Sequence, residues 1–575
     1  MQNLDILFLN LHRKYVNIDR EYGGFLGIYI LSAFARQQGY NGKGFSGTLK
    51  RGKEYIDKLW KSKSVSMIGL YCDYENVTEN LFLSNYIKEN YGIPVIVGGP
   101  QATALDENFF KNSKCDAVVR YEGELTVIEL MNFFLEDVGR FEEIKGISYM
   151  TDQGIKINPN RPLIENLDQL PFIDSKCYLE PHHFYHNELS IMTGRGCPFH
   201  CTFCHEGSHT RKVRFRSVEN VFEEIDKYLK EWRGDEIYIL FTDDTFTLDK
   251  NRLHKICSEL AKRKKKYNLK WFCEGHIHTL YKNPEMIKDL ADGGCVRIQL
   301  GIESGTEDVL KSYGKNTTPD EIFEVVRKCR DYGIQQIYGN IILGGANFTR
   351  ETYEKDRKFV HDLIQEGQGT LELGVITYWP LAETPITNQP SKFNLNIYDD
   401  QFLTSVGDFP LAYTDDLDRL TIMQMQYELE KEIQKQMTEM LENWQVPTSR
   451  VISWYPNYNN SKYSSWFLNL AKNEILFPYY KMIKLDEGVE SKNVTNLEES
   501  HPLRVIQLYK YIKKIDENQI EICGEKFDIK DLDIITMTTG KLSVKEICNK
   551  LNIELNKVLS ILKRLEQKHL IVYTF

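Results

Sequence analysis

The residues best able to carry out chemistry are three cysteines in one short segment, separated by three and then by two residues: Cys197, Cys201 and Cys204. Three clustered thiolates can hold three irons of a four-iron, four-sulfur cluster and leave the fourth iron open to bind and reduce a small molecule. From this segment alone the alternative is a zinc site, which needs a fourth protein ligand that His200 or His205 can supply.

Four more motifs follow the cysteines along the chain, each at the end of an apolar, strand-like run. They are Phe241–Thr247, Trp271–Glu274, Leu300–Gly305 and Ile341–Ala346. Together with the cysteines, these motifs resemble those of the radical S-adenosylmethionine (SAM) enzymes in type and in order. The resemblance implies a 4Fe-4S cluster whose open iron chelates SAM, and a one-electron cleavage of SAM to a 5'-deoxyadenosyl radical.

The same resemblance implies roles for individual residues. The three cysteines are the expected cluster ligands, and an aromatic ring between two of them is expected to pack on the adenine of SAM. Carboxylates at strand ends are expected to face the polar end of SAM, and paired glycines to leave room for the adenosyl group. The residues expected to bind SAM are Phe203, Asp243, Asp244, Glu303, Gly344 and Gly345. The alternative for these carboxylates is helix capping, and no catalytic residue is assigned.

Residues 1–140 alternate between short apolar runs and segments with helical spacing, which predicts a doubly wound parallel sheet. The predicted strands are Leu4–Asn10, Met67–Tyr71, Pro94–Pro100 and Ala117–Glu124. Ligands of such sheets bind at the carboxyl ends of the strands. Glycines occur at two of these ends, where they either form tight turns or let a large ligand approach the backbone.

This region resembles the cobalamin-binding domain that precedes one large subclass of radical SAM enzymes. The resemblance implies that cobalamin contacts two of the strand ends, through Gly98, Gly99, Tyr121, Glu122, Gly123 and Glu124. The Asp-x-His-x-x-Gly motif of cobalamin mutases is absent, because the loop reads Leu11–Val16. His12 is therefore not assigned as an axial ligand, and the lower face of cobalt is left open.

The predicted fold class is α/β throughout the first two thirds of the chain. A Rossmann-like, cobalamin-binding domain is followed by a connector with a small hairpin, a partial (β/α)6 radical SAM barrel, an α-rich region and a winged-helix-like module. Catalytic residues are expected at the carboxyl ends of the barrel strands. The boundaries of these five parts are 1–140, 141–187, 188–390, 391–501 and 502–575.

The last part carries a capping-box signature, with Ser543 before a helical pattern and Glu546 three residues later. A second helix, Glu554–Lys568, and a strand, Leu570–Tyr573, follow. The order resembles a winged helix, specifically the modules that recognise leader sequences of ribosomally made peptides by adding a peptide strand to a sheet edge. A structural role and DNA binding are the alternatives.

Bulk properties limit the class of protein. The chain has 575 residues and a net charge of −10, which weighs against a nucleic-acid partner because such partners select basic surfaces. No apolar run is long enough to span a bilayer, and the start lacks the features of a signal peptide. A cytoplasmic location is expected, and it suits an oxygen-sensitive cluster that an external flavodoxin- or ferredoxin-like protein reduces.

The leading functional hypothesis is C-methylation of a peptide, a natural-product precursor, with methylcobalamin as the methyl donor. The resemblance also allows a radical rearrangement, cyclisation or cross-link of a peptide or small molecule without methyl transfer. A third hypothesis is a regulatory protein that binds cobalamin, which does not need the open iron that the cysteines predict.

Overall fold

The computed structural model describes most of the chain. The described residues are 3–12, 26–104, 106–181, 188–205, 211–234, 236–398, 409–443, 445–447, 450–451, 464–473, 476, 504–507, 512–522, 525–567 and 570–574. The chain divides into two compact units, residues 1–362 with 373–430 and residues 363–372 with 431–575. Much of the predicted α-rich region, 391–501, lies outside the described residues.

The N-terminal part of the first unit is one sheet of seven strands. They are β1 Leu4–His12, β2 Gly42–Thr48, β3 Val65–Tyr71, β4 Val95–Gly98, β5 Ala117–Val119, β6 Ile147–Thr151 and β7 Gly154–Ile157. The strand order is β2-β1-β3-β4-β5-β6-β7, and the first five strands are parallel. This order of the parallel strands is one of the two common doubly wound orders, with its switch point between β1 and β3.

Helices connect these strands, and the predicted hairpin extends the sheet. The helices are α1 Gly27–Gln37, α2 Leu49–Lys61, α3 Val77–Asn90, α4 Pro100–Ala104, α5 Asp106–Asn112 and α6 Glu124–Glu136. Strand β1 is almost entirely buried because it pairs on both sides. The hairpin expected within the connector, β6 and β7, pairs antiparallel to β5 and so belongs to the sheet.

A second sheet of six strands follows, with its strands in sequential order. They are β8 Glu188–Ile191, β11 Ile237–Phe241, β12 Leu269–Gly275, β13 Cys295–Leu300, β14 Gln336–Leu343 and β15 Leu371–Thr377. Two separate two-stranded ribbons are formed by β9 Gly194–Arg195 with β10 Arg214–Phe215, and by β16 Asn396–Ile397 with β17 Ala412–Tyr413. The pairings from β8 through β14 are all parallel. The prediction of an α/β fold with a six-stranded parallel barrel sheet is confirmed.

Helices connect these strands, and two more helices follow the last strand. They are α7 Val218–Glu231, α8 Lys250–Tyr267, α9 Ile277–Lys282, α10 Glu285–Gly293, α11 Glu307–Ser312, α12 Pro319–Asp331, α13 Arg350–Gly367, α14 Pro385–Asn388 and α15 Arg419–Glu442. Trp271 of β12 marks the helix-covered face, since its Nε1 donates to the carbonyl of Gly293 in α10 at 2.9 Å.

The C-terminal part of the second unit has a core of its own, formed by residues between Val505 and Ile571. Its elements, with the preceding helix, are α16 Ser465–Lys472, β18 Arg504–Gln507, β19 Lys513–Lys514, β20 Gln519–Ile522, β21 Glu525–Asp528, α17 Leu532–Thr536, β22 Thr539–Ser543, α18 Val544–Leu551, α19 Leu555–Gln567 and β23 Ile571–Thr574. The predicted capping box at Ser543 and Glu546 is present. In the described part of the chain, no helix is both long and apolar enough to cross a membrane.

Candidate functional site

The cysteine loop follows β9 and is fixed to the barrel by hydrogen bonds. The backbone N–H of Thr202 donates to the carbonyl of Tyr313 at 3.0 Å, and Cys197 Sγ lies 3.6 Å from Thr245 Oγ1. All three predicted cluster ligands are partly exposed, and none of the described cysteines forms a disulfide. The loop therefore holds three accessible thiols at the edge of the barrel.

A buried lysine lies beside these cysteines. Lys315 Nζ is 2.9 Å from Glu303 Oε1, and the Lys315 charge interacts with Cys201 and Cys204. Burial lowers the pKa of Lys315, but the charges of Glu303 and Cys201 outweigh burial, so its net pKa is raised. Burial raises the pKa of the Cys201 thiol, and Lys315 opposes this effect. The ammonium group thus supplies a positive charge where anionic thiolates are expected.

The backbone at Glu303 is held in an uncommon conformation. Its φ is +61°, which costs free energy for a residue with a Cβ unless neighbouring groups hold it. Here its N–H donates to the carbonyl of Asn340 at 2.8 Å, and its own carbonyl accepts from the N–H of Ile342 at 2.9 Å. The backbone of Glu303, which is predicted to face SAM, is therefore fixed by β14.

The two adjacent aspartates after β11 have different environments. Asp243 accepts from the N–H of Thr193 at 2.6 Å and from its hydroxyl at 2.5 Å, and burial raises the pKa of Asp243 to about 6. Asp244 Oδ2 accepts from the N–H of Gly196 at 2.9 Å. Both aspartates anchor the start of the cysteine loop, and their contacts with SAM stay predictions.

Phe203, Gly344 and Gly345 pack against protein side chains. The Phe203 ring lies edge-on to Tyr313, with 5.1 Å between centroids. A Cβ added to Gly345 would lie 2.0 Å from Tyr313 Oη, and one added to Gly344, whose φ is +69°, would lie 2.9 Å from Ile422. The absence of side chains here makes room for Tyr313 and Ile422, so the adenosyl role of the two glycines stays a prediction.

A cavity of about 390 Å³ lies at the carboxyl ends of the N-terminal sheet strands. It is lined by all six residues predicted to contact cobalamin: Gly98, Gly99, Tyr121, Glu122, Gly123 and Glu124. Its walls are mainly apolar, with Leu31, Leu70 and Ile96 among them. His12 is not among these lining residues. Its Nε2 lies 3.0 Å from Ser46 Oγ.

Glycines give this cavity its shape. Gly99 has φ +109°, and a Cβ there would lie 2.4 Å from the carbonyl oxygen of Cys72, so only glycine fits. At Gly27 an added Cβ would meet no atom of the described residues within 4 Å. The sequence thus places its smallest residues where a ligand can approach the backbone.

Two arginines from the barrel join the acidic residues of the cavity. Arg195 lies 3.1 Å from Glu122 and 2.6 Å from Glu124, and Arg214 lies 2.8 Å from Glu122. Both arginines line the cavity. The carboxylates predicted to contact cobalamin are therefore paired within the protein, and neither arginine was identified from the sequence.

A histidine also stacks on the cysteine loop. The rings of Phe199 and His276 have centroids 3.6 Å apart and an angle of 9° between planes. Burial lowers the pKa of His276 to about 3, with the nearby Lys315 charge as the second cause. The imidazole is therefore neutral near pH 7. The pattern Glu274-Gly-His276 carried no signal that the ring packs here.

Comparison with known proteins agrees with this geometry. The sequence model of the radical SAM superfamily matches residues 191–360. An uncharacterized methyltransferase of Pyrococcus horikoshii is 33% identical over 294 residues, which are 50% of this chain and 60% of that protein. The chain thus spans three fifths of that relative's length, and about half the length of the next curated relatives.

Two solved structures share the fold. OxsB, a cobalamin-dependent SAM radical enzyme solved with aqua-cobalamin and SAM, has a TM-score of 0.60 and 20% identity, covering 84% of this chain and 75% of its own. TsrM from Kitasatospora setae is a radical SAM methyltransferase solved with cobalamin and a [4Fe-4S] cluster. It has a TM-score of 0.57 and 17% identity, and the match covers 69% of this chain and 77% of TsrM. Residues 191–360 are therefore similar to the radical SAM superfamily in sequence, and the fold of the chain is similar to that of these two enzymes.

Proposed function

We propose that this chain is a cobalamin-dependent radical SAM enzyme that methylates a carbon atom of its substrate. One observation carries the proposal: the glycine-lined cavity reaches the cysteine loop. Gly196, directly before Cys197, and His205, directly after Cys204, both line that cavity. A corrinoid in the cavity and a cluster on the loop would therefore be neighbours.

The cysteine loop fits a 4Fe-4S cluster with one open iron. Three thiolates from Cys197, Cys201 and Cys204 satisfy three irons, and Lys315 offsets part of their negative charge. When bound, such a cluster supplies the coordination site for SAM and the electron that cleaves it. A flavodoxin- or ferredoxin-like protein is the electron donor we propose.

The residues that line the cavity fit a corrin ring in their chemistry. Its apolar walls suit the faces of a macrocycle, and the paired charges of Glu122, Glu124, Arg195 and Arg214 suit the polar amides at its edge. When bound, methylcobalamin carries the methyl group that is transferred.

The chain's own residues position SAM. We assign Glu303 and Asp244 to the ammonium group of SAM, because both carboxylates are held at strand ends beside the loop. Lys315 is placed to neutralise the carboxylate of SAM or the thiolates. Phe203 is assigned to the adenine ring.

We further propose that the substrate is a peptide. The support is the C-terminal module, in which a three-stranded antiparallel sheet, β22-β18-β23, accompanies helices α18 and α19. A sheet edge of this kind can accept a peptide strand. Under this proposal the five parts of the chain serve cobalamin binding, connection, radical chemistry, substrate contact and leader recognition.

The test is anaerobic reconstitution with iron, sulfide and cobalamin, followed by incubation with SAM, a reductant and candidate peptides. Deoxyadenosine together with S-adenosylhomocysteine is the expected pair of products, because methylation consumes a second SAM. Deoxyadenosine alone would support rearrangement or cross-linking instead. Bound zinc in place of iron, with no retained corrinoid, would contradict the proposal.

A further inference from the structure

The face of the barrel sheet opposite the helices carries polar side chains in its middle. On β13, Val296, Ile298 and Leu300 are buried against the helices, whereas Arg297 and Gln299 between them are partly exposed. Alternation along a strand places these two side chains on the other face of the sheet. That face is the interior of the barrel.

Among the described residues, the Arg297 side chain has aromatic neighbours and no acidic partner. It is opposite Phe272 of β12 in register, and its guanidinium carbon lies 5.8 Å from the Phe272 ring centre and 5.1 Å from that of Tyr338. Within the described residues it forms no ion pair, and its buried Nε has no acceptor. A guanidinium has five donors and no acceptor, so this partly exposed charge has hydrogen-bond donors left for a ligand.

The next layer toward the mouth of the barrel holds two more polar side chains, Glu274 and Gln299, which are both partly exposed. Glu274 of β12 pairs in register with Gln299 of β13, and Gln299 pairs in turn with Tyr338 of β14. Across the part of the chain that the structure describes, neither the Glu274 carboxyl nor the Gln299 amide makes a side-chain hydrogen bond. Burial raises the pKa of Glu274 to about 7, and the charge of Asp244 adds to the shift. Near pH 7 this carboxyl can therefore donate a proton in a hydrogen bond.

We propose that Arg297, Gln299 and Glu274 form a substrate subsite that binds an oxyanion, either a carboxylate or a phosphate group. The inference rests on the proposed function and names its substrate class. The planar guanidinium matches both oxyanions with two parallel hydrogen bonds. Arg297 precedes the end of β13 by three residues, or about 10 Å, so the anchored group lies deeper than Glu303.

The test uses the reconstituted full chain with cluster and cobalamin contents measured first. Acetate and methyl phosphate are the probes, titrated separately by calorimetry. We expect one of these anions to bind the parent protein saturably, and Arg297→Met to weaken that binding at least tenfold. The affinity of Arg297→Lys should lie between those of the parent and Arg297→Met. Arg233→Met, which alters an exposed arginine, is the matched control. Gln299→Ala is a second variant in case Arg297→Met fails to fold.

Three results would overturn the subsite. They are no saturable binding of either anion to the parent, equal binding to the parent and Arg297→Met, and a tenfold weaker affinity of Arg297→Met for SAM without reductant. The last result would assign Arg297 to the carboxylate of SAM. Failure of the proposed function is distinct, because it would appear as missing iron or corrinoid before any anion is added.

Discussion

Arg214 and Glu122 form a buried ion pair between the barrel and the N-terminal sheet. Arg214 Nη2 lies 2.8 Å from Glu122 Oε1, and the Arg214 side chain is 3% exposed. Burial raises the pKa of Glu122, but the hydrogen bond from Arg214 and the charge of Arg195 outweigh it, so the net pKa is lowered. Because the pKa of Glu122 is lower in the folded state, the pair stabilises the fold fully at pH values above the ordinary glutamate pKa. This stabilisation is lost as the pH falls through the lowered pKa.

We expect Glu122→Ala to lower the free energy of unfolding by about 3 kcal/mol at pH 7, because it leaves the buried Arg214 without a full partner. Chemical denaturation measures the change. Glu89→Ala is the control, since its pair with Lys114 is more than half exposed on both sides, and it should change stability by less than about 1 kcal/mol. Similar losses in the two variants would argue against a structural role for the buried pair.

Cys201→Ala should remove one cluster ligand. We expect iron and sulfide per chain to fall, and deoxyadenosine formation to fall by at least about tenfold. Cys548→Ala, in the core of the C-terminal module, should keep the iron content of the parent. The iron content per chain of the anaerobically reconstituted proteins tests whether Cys201 is a ligand. An unchanged iron content in Cys201→Ala would reject the ligand assignment.

The pair of Lys315 and Glu303 predicts a non-additive double mutant. Both side chains are nearly buried, 8% and 11% exposed, so Lys315→Met alone should cost about 3 kcal/mol by leaving a carboxylate without its partner. Adding Glu303→Gln removes that carboxylate and should recover part of the loss. The coupling free energy between the two side chains is obtained from the free energies of unfolding of the parent, both single variants and the double variant. Strictly additive losses would show that the two groups do not interact.

Glu274 predicts a pH dependence of stability. Its folded-state pKa, raised to about 7 by burial, lies above the ordinary value of about 4.3. The protonated form is thus favoured by folding, and its contribution is complete below about pH 4 and is lost as pH rises through about 7. We expect Glu274→Gln to reduce the stability difference between pH 5 and pH 8.5 by about 1 to 2 kcal/mol. Glu142→Gln, an exposed glutamate, should leave the pH dependence unchanged.

The strands that carry the motifs were predictable because buried parallel strands are short, apolar and end in distinctive residues. Strand β2 was not predicted, since Gly42–Thr48 holds three glycines and glycine is rare in strands. The structure gives the reason for one of them: a Cβ on Gly44 would lie 2.8 Å from the Tyr29 ring. Close packing of α1 on the sheet, which leaves no local pattern, requires this glycine.

The missed site residues have partners that are distant in sequence. Arg214 pairs with Glu122, 92 residues earlier, and Lys315 follows a helix in which no motif predicts a buried charge. Arg195 lies directly before Gly196 in the recognised loop, yet only the folded chain shows that its charge faces Glu122 and Glu124. Motifs identify the chemistry, whereas the charges that surround it depend on tertiary contacts.

Removing residues 502–575 tests the proposed leader recognition. The described core of this module is formed by its own side chains, from Val505 to Ile571, so we expect the rest of the chain to fold without it. We expect the truncated protein to keep its iron, its corrinoid and its peptide-independent cleavage of SAM, and to bind a candidate precursor peptide at least about tenfold more weakly. Fluorescence anisotropy of the labelled peptide measures binding. Full affinity and normal methylation by the truncated protein would show that the module has a different role.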